Sequence, residues 1–265
     1  MKRFKYLLFV VLLVLLLAIP AGIAFMAADA PPPPTPLPNP NGYDTLVDAS
    51  EKYVDYSEDI DQVGDVETLK MWVETNSEAL RLVDEACGQE IVVPPTKLDV
   101  HAERRLGLVN CLSLIRLVKT QARVAELEDR LSDAAEIYAK MFDLSNRVDD
   151  GGFLMDALLS CAGKKMALDA LVQIEASMPQ QARLNLAAAL EASGNDRIDF
   201  DVVMERERAA QRQQFGFLNV SIMNFTNPIQ TANYAAKDDE VAELYDKLMK
   251  RLAQPTSNQD DGSSE

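Results

Sequence analysis

The chain has 265 residues with 26 basic and 42 acidic side chains, a net charge of −16. That surplus disfavours nucleic acid and anionic lipid headgroups as electrostatic partners, since both repel an acidic surface. A single histidine, His101, removes HExxH and most other zinc sites, and three cysteines allow one disulfide at most.

Residues 1–6 form a basic stub with Lys2, Arg3 and Lys5. An uncharged run from Leu7 to Ala28 follows. At ~1.5 Å rise per residue such a run spans roughly 33 Å, against a hydrocarbon core of about 30 Å. The expectation is a signal-anchor over 7–28, in contact with the lipid bilayer and placing residues 31–265 beyond the membrane. The alternative is a secreted protein, with a signal peptide cleaved near Ala24 after the apolar stretch Leu7–Ile19 and Pro20. The anchor is preferred because the apolar run continues well past Pro20.

Residues 29–41 form a proline-rich linker with seven prolines between Pro31 and Pro40, expected as extended polyproline II. Residues 42–253 form the exported domain, large enough for a real core and almost wholly helical, with Gly216–Ala235 its least legible stretch. A first helix is expected near Tyr43–Ile60. A second starts after Asp65, a good N-cap, with Val66, Leu69, Val73, Leu80, Val83 and Cys87 in a 3-4 seam and Asn76 in its one gap. Gly88 closes it, and Gln89–Thr96 is a loop.

A third helix covers about Leu98–Asp129 and is apolar on nearly every side between Leu106 and Val118, which marks it as buried. Ser132 caps a fourth, running to about Val148 with Ala135, Tyr138, Met141 and Phe142 inward. Asp149-Asp150-Gly151-Gly152 ends it. Phe153–Met178 is again apolar on most faces. Pro179 opens another helix that Gly194 ends. A charged helix follows over Phe200–Phe215, and a last one over about Asp238–Ala253 has Val241, Leu244, Tyr245, Leu248 and Leu252 on one face. The polar tail 254–265 is expected to be disordered.

Helices joined by short loops imply an all-α fold of stacked antiparallel hairpins. Leu117–Leu144, with "ARVAELEDRLSDAAEIYAKMFDL", resembles a tetratricopeptide hairpin, in which Ala134 and Tyr138 lie four apart on the second helix. The turn lacks the usual glycine. "LPNPNGYDTLVDA", "WVETNSEALRLVDEAC", "GGFLMDALLSCAG" and "VMERERAAQRQQFG" resemble blocks in uncharacterised, membrane-anchored helical proteins of planctomycete bacteria. The resemblance implies a bacterial exported protein with a tetratricopeptide-like helical fold, and it implies no activity; with the anchor reading, the expected place is the bacterial inner membrane, single-pass, with the domain on the periplasmic side.

Chemistry is sparse. His101 lies at a helix start among Asp99, Glu103, Arg104 and Arg105, and a solvent-facing role is expected. No GxSxG occurs, and Ser113 and Ser160 fall inside apolar stretches. Asp59–Asp65 opens like a calcium loop, but Val63 and Lys70 stand at ligand places, so an acidic turn is expected. Asp149–Gly152 is a helix terminator with weak cation affinity at most. Glu205 and Arg208 form an exposed i,i+3 pair. Cys87, Cys111 and Cys161 sit on apolar stripes and are expected as buried thiols, a Cys87–Cys111 bridge being the alternative.

Asn76, Asn110 and Arg116 each interrupt an apolar stretch and are the candidate binding residues, with register-fixing or snorkelling as their structural roles. No metal or cofactor is expected. The functional expectation is a membrane-tethered, exported interaction or scaffold module of the cell envelope, non-enzymatic, with a protein or peptide partner. The alternative is an exported hydrolase relying on carboxylates.

Overall fold

The computed structural model describes residues 36–56, 63–94, 107–195, 197–215 and 228–254. Among them run nine α-helices: α1 Gly42–Lys52, α2 Val66–Thr75, α3 Ser77–Cys87, α4 Leu108–Leu127, α5 Leu131–Arg147, α6 Leu154–Ile174, α7 Gln180–Ser193, α8 Phe200–Phe215 and α9 Pro228–Leu252. A 3-10 turn, Glu175–Ser177, follows α6. The packing is all-α and stacked, consistent with a tetratricopeptide-like helical repeat.

The three-residue turn Glu128–Arg130 folds α5 back on α4, and α6 then lies beside α5. Asp129 adopts φ 59° in that turn, taking the left-handed conformation that a glycine would otherwise supply. Tyr138 and Ala134 of α5 are buried, and the Tyr138 hydroxyl donates to Glu126 Oε1 at 2.6 Å. The hairpin expected at Leu117–Leu144 is therefore present.

Leu114, Ile115, Leu117, Tyr138, Met141, Phe142, Leu144, Leu168 and Leu171 are almost wholly enclosed, and all come from α4, α5 and α6. Burying each such side chain contributes about 1.5–3 kcal/mol. α6 is central because α5, α4, α8 and α9 all pack on it, which explains why its apolar residues are spread around the helix. α9 returns from the C-terminal end to lie against α6 and α7. A satellite core of Ala157, Cys161, Phe200 and Val203 joins α8 to α6, and Tyr234 stacks on Phe200 with ring centroids 6.3 Å apart.

The single helix expected from Asp65 to Cys87 is two helices. Asp65 caps α2 by accepting from Thr68 N at 3.0 Å. At Asn76 (φ −97°, ψ 16°) the chain leaves helical geometry and restarts as α3. The first helix ends at Lys52, eight residues short of the expected end, because Val54 is drawn into hydrogen bonds with Asn76. Ser132 lies inside α5, and Arg130 occupies the N-cap position without a side-chain cap. α9 starts ten residues earlier than expected, at Pro228. Cys87, Cys111 and Cys161 are free, so the Cys87–Cys111 bridge is absent.

The membrane expectations require correction. Among the described residues no helix is long and apolar enough to cross a membrane. The long helix α6 carries Asp156, Lys164, Lys165 and Asp169 within its 21 residues, and α9 is charged along much of its length. The run 7–28 lies outside the described residues. The single-pass anchor, the lipid bilayer contact through 7–28 and the inner-membrane placement are withdrawn. With them go the tethered, exported module, its hydrolase alternative and the protein or peptide partner.

Candidate functional site

The chain ends three helices at one place. The C-terminal ends of α3, α5 and α7 converge on a cleft of about 890 Å3, and the segment Arg197–Asp199 with the first turns of α8 forms its far wall. Each helix stops for a local reason. Gly88 follows α3, Asp149-Asp150-Gly151 turns the chain after α5, and Gly194 leaves α7 at φ 68°. A helix C-terminus carries partial negative charge, so three of them favour a cation in the space between.

One guanidinium already exploits this field. Arg147 donates to the carbonyls of Cys87 at 2.6 Å and Gln89 at 3.0 Å, and to Asp143 at 2.5 Å. Asn146 closes the end of α7 by donating to Ser193 O at 3.0 Å. Arg197, on the cleft wall, bonds Asp238 Oδ2 at 3.5 Å and pairs with Asp239. Five acidic side chains, Glu90, Asp143, Asp149, Asp150 and Asp199, line the cleft against Arg147, Arg197 and Arg206. The excess is acidic.

Behind the cleft lies a buried polar cluster. Lys164 of α6 is wholly enclosed, with Nζ 3.5 Å from Asn146 Oδ1 and 3.9 Å from Asp238 Oδ1. Asp238 of α9 also accepts from Ile198 N at 3.3 Å and faces Cys161 Sγ at 3.9 Å. Asp149 is partly buried. Its carboxyl is raised to about 6, chiefly by burial and further by Asp150 and Asp238, against the pull of Lys164 and a backbone hydrogen bond. Burial likewise pushes the Cys161 and Cys87 thiols up to about 11, which leaves them protonated and unreactive at neutral pH.

No family model matches the chain, and no curated protein or solved structure matches it.

Asn76 is fully buried where α2 gives way to α3. Asn110 and Arg116 are exposed on α4, so the three residues do not come together. The cleft is lined by others. Of the motifs singled out in the sequence, only Asp149–Gly152 reaches it. Lys164 and Asp238 carried no sequence signal, because each lies on a different helix from the Asp149 turn and only packing brings them near it. Asp59 and His101 lie outside the described residues. Ser160 is buried with an unpartnered hydroxyl. Among the described residues no group of three or more His, Cys, Asp or Glu could hold a metal ion. A smaller groove of about 440 Å3 between α5 and α7 is lined mainly by Ala135, Ala139, Ala182, Leu186 and Ala189, which offer packing and no chemistry.

Proposed function

We propose that the chain is a non-catalytic, all-helical binding protein whose cleft takes a small organic cation, an amine or guanidinium compound. The convergence of three helix C-termini on one concave site with surplus carboxylates carries this reading. Arg147 supports it from within, because a guanidinium satisfies the carbonyls that end α3. The absence of catalysis is supported by the state of the nearby groups. The Cys161 thiol is held protonated, and the Ser160 hydroxyl has no base. The carboxyl of Asp149 is raised mainly by burial, with Lys164 pulling the other way and Asp150 and Asp238 adding to the raise, an arrangement that structural ion clusters also produce.

Isothermal titration calorimetry of the full chain with spermidine, agmatine and glutamate, at about 0.15 M salt, tests the proposal. The two cations bind and glutamate does not. The double variant Glu90→Gln, Asp150→Asn weakens binding roughly tenfold, about 1.4 kcal/mol. Glu78→Gln with Glu85→Gln, on the outer face of α3, leaves it unchanged. Equal weakening by both pairs would reveal diffuse attraction to an acidic protein and overturn the assignment, as would no binding.

A further inference from the structure

On the cation-binding reading above, we infer that the ligand of the cleft is a zwitterion, a guanidino- or amino-carboxylate with its two charges several carbons apart. Arg206 selects it by binding the carboxylate end.

Most charged groups of the lining are already engaged within the protein. Arg147 bonds Asp143 and the carbonyls that end α3, and Arg197 pairs with Asp238 and Asp239. Asp199 caps α8, accepting from Asp201 N at 3.1 Å and Val202 N at 3.2 Å. Asp149 is half-buried in the field of Lys164. Glu90, Asp150 and Arg206 remain. Among the described residues their side chains make no hydrogen bond and no ion pair, with each other or with any neighbour. Charge of both signs is thus left for a ligand.

The two signs stand on different walls. Glu90 and Asp150 belong to segments fixed by backbone bonds: Gly42 N donates to Glu90 O at 2.8 Å, and Val93 N to Asp150 O at 2.9 Å. Both carboxylates are therefore presented from a pre-organised wall. Arg206 belongs to α8, where Asp199, Val202, Val203 and Arg206 recur at helical spacing and line the cleft from one face. Arg206 stands ~10 Å along the helix axis from the Asp199 cap. Half-buried Val202 lies between them and offers an apolar surface to methylene groups. A bare dication would meet Arg206 as a like charge. A ligand with a guanidinium or ammonium at one end and a carboxylate at the other meets an opposite charge at both, and a guanidinium can bind its carboxylate through two parallel hydrogen bonds.

Calorimetry of the full chain with agmatine and γ-guanidinobutyrate tests the assignment. Both compounds carry a guanidinium, and they differ chiefly at the other end, an ammonium in the first and a carboxylate in the second. γ-Guanidinobutyrate binds roughly tenfold more tightly, against the order that a net acidic cleft alone would impose. Arg206→Met reverses the order: γ-guanidinobutyrate weakens roughly tenfold and agmatine tightens, opposite shifts that damage to the fold would not produce. Arg206→Lys retains the preference for the carboxylate. The double variant Glu90→Gln, Asp150→Asn weakens both compounds, because both place a guanidinium there. Tighter binding of agmatine to the wild type, or a shift in the same direction for both compounds in Arg206→Met, overturns the zwitterion and leaves the cation site standing. Failure of both compounds to bind removes the cation site and the zwitterion with it.

Discussion

Asn76 grips the backbone of Val54 through both of its side-chain polar atoms: Val54 N–H donates to Asn76 Oδ1 at 2.7 Å, and Asn76 Nδ2 donates to Val54 O at 3.1 Å. The same amide nitrogen reaches Trp72 O at 3.1 Å, and Trp72 Nε1 donates to Val54 O at 3.1 Å. One buried side chain thus replaces the ladder that α2 and α3 lose at their junction and pins the segment after α1. Asn76→Ala leaves the Val54 N–H without its side-chain acceptor and removes both amide bonds made from the buried Asn76. A loss of about 2–4 kcal/mol is expected in urea denaturation followed by Trp72 fluorescence. A loss below about 0.5 kcal/mol would show that the bonds are incidental.

Asp149 makes stability pH-dependent in a defined direction. Its folded-state carboxyl titrates near 6, above the ordinary 3.8, so the folded protein holds the proton more tightly than the unfolded chain. This group's penalty is full above pH 6 and is relieved as pH falls from 6 towards 4. Asp149→Asn removes the penalty, stabilising the protein at pH 7 by about 1–3 kcal/mol and by much less at pH 4.5. Guanidinium denaturation at the two pH values checks this, and equal effects at both would refute the assignment.

Gly163 lets α6 pack tightly against Ser145 of α5. A Cβ there would fall on the Ser145 hydroxyl and lie 2.9 Å from Ser145 Cβ and 3.2 Å from Ile115 Cδ1. Gly163→Ala would ordinarily favour a helix, yet here the expected outcome is destabilisation by roughly 1–3 kcal/mol. Ser145→Ala removes one of the clashing atoms, so a double-mutant cycle measured by thermal melting should show the pair less destabilised than the sum.

The end of α9 is fastened by Arg183 of α7. Its Nη2 donates to Arg251 O at 2.5 Å and Gln254 O at 3.3 Å, while the Arg251 side chain pairs with Glu175 at 3.1 Å. Arg183→Met keeps much of the packing volume but leaves the last carbonyls of α9 unanswered. The C-terminal helix should fray, with limited proteolysis after α9 begins several times faster and global stability lower by about 1–3 kcal/mol. Unchanged proteolysis would mean that Leu248 and Leu252 dock the helix unaided.

Much of the helical layout was legible in the residues because its causes are local. Phe200–Phe215 has the bounds expected from its pattern, and Gly194 and Asp149–Gly152 end helices where their backbone chemistry says they should. Ala135, Tyr138, Met141 and Phe142 point inward as their 3.6-residue spacing requires. Asn76 shows where that logic fails. A continuous 3-4 seam promises one helix, but a side chain able to bond Val54 from another segment made a break favourable. A long apolar run carries another ambiguity, since periodicity alone does not say whether protein or lipid covers it. In α4 and α6 protein does, even around the charge of Lys164.

Residue order by itself determined that this chain is helical, where most helices stop and which faces turn inward, because propensity, capping and hydrophobic period act over a few neighbouring residues. Only the tertiary structure decided that three helix ends share one cleft, and that Lys164, Asp149 and Asp238 meet behind it. Those juxtapositions depend on packing between segments distant in the chain, and electrostatic interaction in a buried site follows distance in space.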